Sequence, residues 1–242
     1  IKKTQTPLVT MGQSYQLINI SKRQISRTLG SAKMIEQLAS KGNQPILALL
    51  LTEVGPTLSE SSEPSKFMGT WSGDRIVLIG DYSYDTPSLL TEAEGQEIEA
   101  TFDSYPSLYR FACDTYTLVS PAEPTNPFED LDPAKVEELF LNSSEVHHLV
   151  LNLDKKEYLD PQKSKSPATS LKEFANLEFG VMQGLYSLIF YSNGSGGGDR
   201  KQFRDGRWAG DHLTIREKDK VDDLDSWTDI SEMVVESLSE FY

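Results

Sequence analysis

The sequence has one cysteine, Cys113, only three histidines, and no apolar run near the length of a membrane span. A single cysteine excludes any intrachain disulfide, so a secreted scaffold held by bridges is ruled out and a reducing compartment, the cytoplasm, is the expected setting. The longest apolar runs, PILALLL at 45–51 and GLYSLIFY at 184–191, fall far short of the roughly 20 residues a spanning helix needs. Basic residues are also scarce: 23 Lys and Arg against 37 Asp and Glu give a net charge of −14. That field opposes nucleic acid and anionic membrane surfaces, and no local run of Lys and Arg reverses it. A protein or a small-molecule ligand is the expected partner.

What is present is an ordinary globular composition over 242 residues, 38% of them hydrophobic, enough for one large domain or two small ones. The chain begins at Ile1 while Met11-Gly12 would make a plausible start, so residues 1–14 read as an N-terminal extension or a remnant of processing. Asn-x-Ser/Thr triplets at Asn19, Asn142 and Asn193 matter only in a secreted protein.

An internal echo organises the rest. GTWSGDRI at 69–76 returns as GRWAGDHL at 206–213, placing two of three tryptophans in one frame at an offset of 137. Upstream, YQLINISKRQIS from Tyr15 resembles HLVLNLDKKEYL from His148 at an offset of 133, matching Asn19 with Asn152 and Lys22 with Lys155. Downstream, DTYTLVS at 114–120 answers DSWTDIS at 225–231. Three collinear echoes predict two diverged copies, 15–142 and 143–242, of an α/β (α+β type) β-β-α-α-β-α unit, packed as a pseudo-two-fold pair.

Each copy carries matching helix signals. Ser31 offers a cap for a helix ending at Gly42, with Met34, Ile35 and Leu38 on one face; Ser170 and Glu173 have capping-box spacing before Phe174, Leu177 and a stop at Gly180. A second helix has Pro45 in its first turn in copy one, and runs to Gly194 in copy two. The tryptophan box then leads into a strand: Ile76 to Ile79 are all apolar, as in a strand buried on both faces, whereas Leu213 and Ile215 alternate with polar residues. Asp132-Pro133 opens a last helix in copy one, and DISEMVVESLSEFY ends copy two. Copy one is 26 residues longer after its box, a surplus that includes the acidic stretch TEAEGQEIEATFDSYP.

Chemistry is expected at the box if anywhere. Trp71 offers a flat face, Gly73 a tight bend, and Asp74 an acceptor for backbone donors at the strand entrance. These roles account for the box as scaffold without a ligand, which is the first reading; in the functional reading Asp74 is a carboxylate displayed beside an aromatic wall, and the ligand-binding candidates are Trp71, Asp74, Arg75, Trp208 and Asp211. No cofactor is expected; under the alternative of a cation-dependent hydrolase or transferase, Asp74 and Asp81, with Asp85 near, would hold a divalent ion while Lys22 or Arg75 steadies an anionic substrate. His147 and His148, adjacent on a strand, point to opposite faces and cannot ligate one metal; His212 beside Asp211 keeps a chance of acid-base work. NGSGGGDRK at 193–201 fits neither a P-loop nor a dinucleotide nor a hydrolase-elbow pattern and reads as a linker. Cys113 reads as a buried small hydrophobe.

Through Trp71, Gly73, Asp74, Arg75, Ile76 and GDYS, together with YQLINISKRQ, the sequence resembles a family of uncharacterised proteins of mushroom-forming fungi with a strand-turn-strand start and a W-A-G-D-R box followed by G-D-Y. The likeness covers most of copy one and, more faintly, copy two. It implies an intracellular domain and no catalytic residues. Copy two departs from it, with His212 for the arginine and no G-D-Y. A soluble binding or protein-interaction protein is the expected function.

Overall fold

Ten strands form one mixed sheet in the computed structural model, which describes residues 13–26, 31–32, 44–53, 68–102, 105–119, 146–163, 181–192 and 206–239. In chain order the elements are β1 (Gln13–Asn19), β2 (Gln24–Ile25), β3 (Ser31–Ala32), α1 (Gln44–Leu51), β4 (Asp74–Gly80), α2 (Glu92–Thr101), α3 (Leu108–Thr115) and β5 (Thr117–Leu118). There follow β6 (His148–Asn152), β7 (Glu157–Leu159), α4 (Val181–Ile189), β8 (Phe190–Tyr191), β9 (His212–Glu217), two short 3-10 turns, β10 (Thr228–Asp229) and α5 (Ser231–Ser239). No helix among the described residues is long and apolar enough to cross a membrane.

The echoed YQLINISKRQIS and HLVLNLDKKEYL both fold as antiparallel hairpins, with Asn19 opposite Gln24 and Asn152 opposite Glu157. Each connection ends on a residue in the left-handed region, Arg23 at φ 52° and Lys156 at φ 51°. The sheet order is β10-β7-β6-β9-β4-β1-β2-β5, with β3 beside β1 and β8 beside β4. At one edge β5 runs parallel to β2, Thr117 opposite Gln24; at the other β10 runs parallel to β7, Thr228 opposite Glu157. In the centre β4 and β9 meet antiparallel by their first residues, Arg75 opposite His212. Beyond that meeting they diverge, and each is flanked there by the segment leaving a helix: β8 pairs parallel with β4, and Thr52, just past α1, bridges Ile215 of β9.

Strict alternation along the central strands sorts side chains onto two faces. Tyr15, Leu17, Ile76, Leu78, Val150, Leu213 and Ile215 join residues of α1, α4 and α5 and both box tryptophans in the larger core. Ile18, Val77 and Ile79 point the other way, onto Ile98 of α2 and Leu108, Phe111 and Ala112 of α3. Behind β6, among the described residues, that second face carries a small cluster of Leu149, Leu151 and Val221 with Tyr158, Leu224 and Trp227. Helices α2 and α3 therefore form a layer over this face of β1 and β4.

Three expectations are corrected. Ser31 is not a helix cap but part of β3, paired with Ser14. Helix α4 stops at Ile189, because Phe190 and Tyr191 are taken into the sheet opposite Leu78 and Ile79. Gln13 and Ser14, read as extension, belong to β1. The expected helices after Ser31 and after Ser170, that after Pro133, the 193–201 linker, Asn142 and Asn193 lie outside the described residues.

Candidate functional site

The box is a tight turn pinned between α1 and β9. The Trp71 amide donates to the Leu50 carbonyl at 2.8 Å, Gly73 takes φ 76° and donates to the Leu213 carbonyl at 2.7 Å, and the Asp74 amide closes onto the Trp71 carbonyl at 3.1 Å. A positive φ is the reason for glycine there, since a side chain strains that conformation. The second box repeats each bond: Trp208 amide to Leu188 carbonyl at 2.8 Å, Gly210 at φ 79° donating to Ile76 carbonyl at 2.8 Å, and Asp211 amide to Trp208 carbonyl at 3.1 Å.

Neither tryptophan is displayed. Both are wholly buried, and at about 25 cal/mol per Å2 over some 150–250 Å2 each side chain gains on the order of 4–6 kcal/mol by staying there. Each indole spends its one donor internally, Trp71 on Gln24 Oε1 at 2.8 Å and Trp208 on Glu157 Oε2 at 2.7 Å. Both tryptophan side chains are thus part of the core. Arg207 also grips Glu157, and this guanidinium, aided by the indole, holds the carboxyl below the usual carboxylate range.

Asp74 is expected to take backbone donors; instead it takes side chains. Asn19 Nδ2 donates to Asp74 Oδ2 at 2.8 Å, Lys22 Nζ lies 2.7 Å from the same oxygen, and Asn19 Oδ1 accepts the Lys22 amide at 2.9 Å. In the second half Asn152 Nδ2 donates to Asp211 Oδ2 at 2.7 Å, Lys155 Nζ pairs with that oxygen, and Asn152 Oδ1 accepts the Lys155 amide at 3.0 Å. One amide thus ties a hairpin turn to a box in each half. Asn19, wholly buried and bonded at both ends of its amide, is no glycan acceptor.

Arg75 and His212 face each other where β4 meets β9. Arg75 donates through Nε to the Gly210 carbonyl (3.1 Å), through one terminal nitrogen to Glu94 (2.9 Å) and through the other to the Leu89 carbonyl (2.7 Å). That guanidinium is a clamp holding the added layer to the sheet. Burial alone would raise the Glu94 carboxyl; the Thr91 amide and Arg75 outweigh it and hold the group low. His212 pairs through Nδ1 with Asp154 at 2.9 Å, not with its neighbour Asp211. Its amide donates to Asp154 as the Arg75 amide donates to Ser21 Oγ.

The two carboxylates expected to share a cation, Asp74 and Asp81, do not come together. Asp74 opens β4 and Asp81 follows its end, so about seven residues at roughly 3.4 Å each separate carboxylates that would have to meet on one cation. Asp81 instead accepts the Ser14 amide at 3.1 Å, and burial pushes its carboxyl up against that bond. No group of three His, Cys, Asp or Glu suited to a metal occurs among the described residues. His147 bonds Asp160 at 2.9 Å, while His148 is buried. Cys113 is exposed on α3, its thiol 3.0 Å from Gln16 Oε1, and not a core residue as expected.

What the sequence reading passed over is the Gln24 and Glu157 pair, visible as one more match at the offset of 133, and the helix α2, whose Thr91-Glu92-Ala93-Glu94 start is a complete capping box. It also passed over the aromatic display of the same segment: Tyr82, Tyr84 and Tyr105 are exposed. Compared with known proteins, the chain matches no family model, no curated protein and no solved structure.

Proposed function

We propose that the chain is an intracellular binding protein built from two diverged copies of one unit, 15–142 and 143–242, joined in a single sheet about an axis between Arg75 and His212. The observation that carries this is the repeated Asn-Lys-Asp tie, Asn19-Lys22-Asp74 and Asn152-Lys155-Asp211, made with the same atoms in both halves. The sheet order supports the pairing, since β5, β2, β1 and β4 follow from one edge as β10, β7, β6 and β9 follow from the other. Shared residues then serve the scaffold, and function belongs to what only one copy has. The W-S-G-D-R residues that resemble the fungal family are scaffold in this reading, and the exposed, unpaired Cys113 agrees with a reducing compartment.

Cross-linking in the native cells followed by purification of the tagged chain tests the reading. A component recovered in stoichiometric amount supports it; a chain recovered alone counts against it. The competing cation enzyme has its own test. Millimolar Mg2+, Mn2+ or Ca2+ is expected to leave the melting temperature of the wild type, Asp74→Asn and Asp81→Asn unchanged, since a ligand of the folded state must raise it. A rise abolished by Asp81→Asn alone would restore the enzyme.

A further inference from the structure

We propose that residues 81–102 and 105–107, a stretch with no counterpart in the second half, form a docking surface for a Lys- or Arg-bearing stretch of a partner protein. This rests on the binding-protein reading and names the chemistry of the partner. Of the six large apolar side chains exposed among the described residues, three are here: Tyr82, Tyr84 (43% exposed) and Tyr105 (71%). The rings of Tyr84 and Tyr105 meet edge to face, 6.2 Å between centroids, so they form one patch. Tyr105 holds φ 60°, a costly backbone for a bulky residue, although its ring gains little burial in return.

Charge selects the occupant. Between Arg75 and Arg110 the sequence has no Lys, Arg or His, but it has Asp81, Asp85, Glu92, Glu94, Glu97, Glu99 and Asp103. Glu94 is half-buried on Arg75 of β4, and the exposed Glu97 is paired with Arg23 of the β1–β2 turn. Glu92 and Glu99 are exposed with no cation beside them among the described residues; they accept only Gln96 Nε2 at 3.1 Å and Thr86 Oγ1 at 3.2 Å. The Thr86 bond brings Glu99 to the turn that carries Tyr84. The segment's own contacts show what it accepts: a guanidinium on Glu94, and Arg110 over the Phe102 ring at 4.8 Å. Its outer side offers the same ring and carboxylate groups with no cation beside them among the described residues. A second copy of the chain, itself at −14, is repelled there. A neutral saccharide would engage the rings and leave the carboxylates idle.

Fluorescence anisotropy with a labelled twelve-residue Gly-Arg repeat peptide, a Gly-Glu repeat and a neutral glucose hexasaccharide tests this on the full chain. Binding of the Gly-Arg peptide alone is expected, weakening with salt. The variant Tyr84→Ala/Tyr105→Ala, which keeps the net charge, should bind about tenfold more weakly if each ring contributes a typical exposed cation-aromatic contact. Glu92→Gln/Glu99→Gln should weaken binding similarly, whereas Asp219→Asn/Asp225→Asn, the same charge change on the other half, should leave it within about twofold. Melting curves confirm that each variant is folded. No peptide binding, tyrosine-dependent binding of the saccharide, or equal weakening by both acidic pairs with none from the tyrosines would overturn the proposal. A partner recovered by cross-linking that binds elsewhere would overturn it too, and leave the binding-protein reading standing.

Discussion

Asn19 and Asn152 each satisfy a carboxylate with one end of the amide and a turn amide with the other, while wholly buried. Removing such a group leaves the turn amide without its acceptor and the carboxylate with its lysine but not its amide donor, and an unsatisfied buried polar group costs about 1–3 kcal/mol. Asn19→Ala and Asn152→Ala should therefore each lower stability by about that amount in urea unfolding, and by similar amounts if the halves are copies. One silent substitution beside one severe one would break the proposed equivalence. Glu157 offers a pH-dependent counterpart. Its folded carboxyl lies low because of Arg207 first and the Trp208 indole second. A depressed carboxyl stabilises the fold above its unfolded value, about 4.3, and the contribution is lost as pH falls through the folded value. Glu157→Gln should keep the indole bond, as Gln24 does for Trp71, and cost about 1 kcal/mol at pH 7 for the lost, half-exposed ion pair. The gap to wild type should close as urea midpoints are followed from pH 5 to pH 3; a gap that ignores pH would refute the assignment.

Elements differ in how plainly they announce themselves. Strands β1, β4, β6 and β9 were legible because alternating or continuous apolar residues followed fixed turn chemistry, and α1 because Pro45 and an apolar run marked it. Phe190 and Tyr191 were not, because nothing local distinguishes the last turn of an apolar helix from a strand; the partner that decides, β4, lies far away in sequence. Helix α2 buries only Gly95 and Ile98, too few for a visible helical period, so its cap was the one usable signal. The same limit applies to the site. At the box a sequence does not say whether a tryptophan is wall or core, and the packing of Trp71 with residues of both halves of the sheet decides it. For α2 the cap implies a local effect. Thr91→Ala removes the acceptor for the Glu94 amide and should cost about 1 kcal/mol. Hydrogen exchange should quicken in α2 while β4 amides stay protected; equal loosening of both would mean that α2 and the sheet open as one unit.

At the scale of the molecule, the two halves complete each other. Strand β4 of the first half is flanked by β9 and β8 of the second, and Ile215 of the second by Thr52 of the first. The larger core mixes residues of both halves, so a cut removes partners from both sides of it. Separating the chain between 142 and 143 would leave each piece with an open edge at its central strand, an edge ready to pair with any available strand. Each fragment alone should self-associate or lack a cooperative transition. Equimolar mixing should give a one-to-one complex with the circular dichroism of the intact chain and a melting temperature that rises with concentration, as assembly requires. A fragment that stays monomeric and unfolds cooperatively by itself would show that its half holds a complete core, and the central pairing of Arg75 with His212 would then join two finished domains instead of finishing two halves.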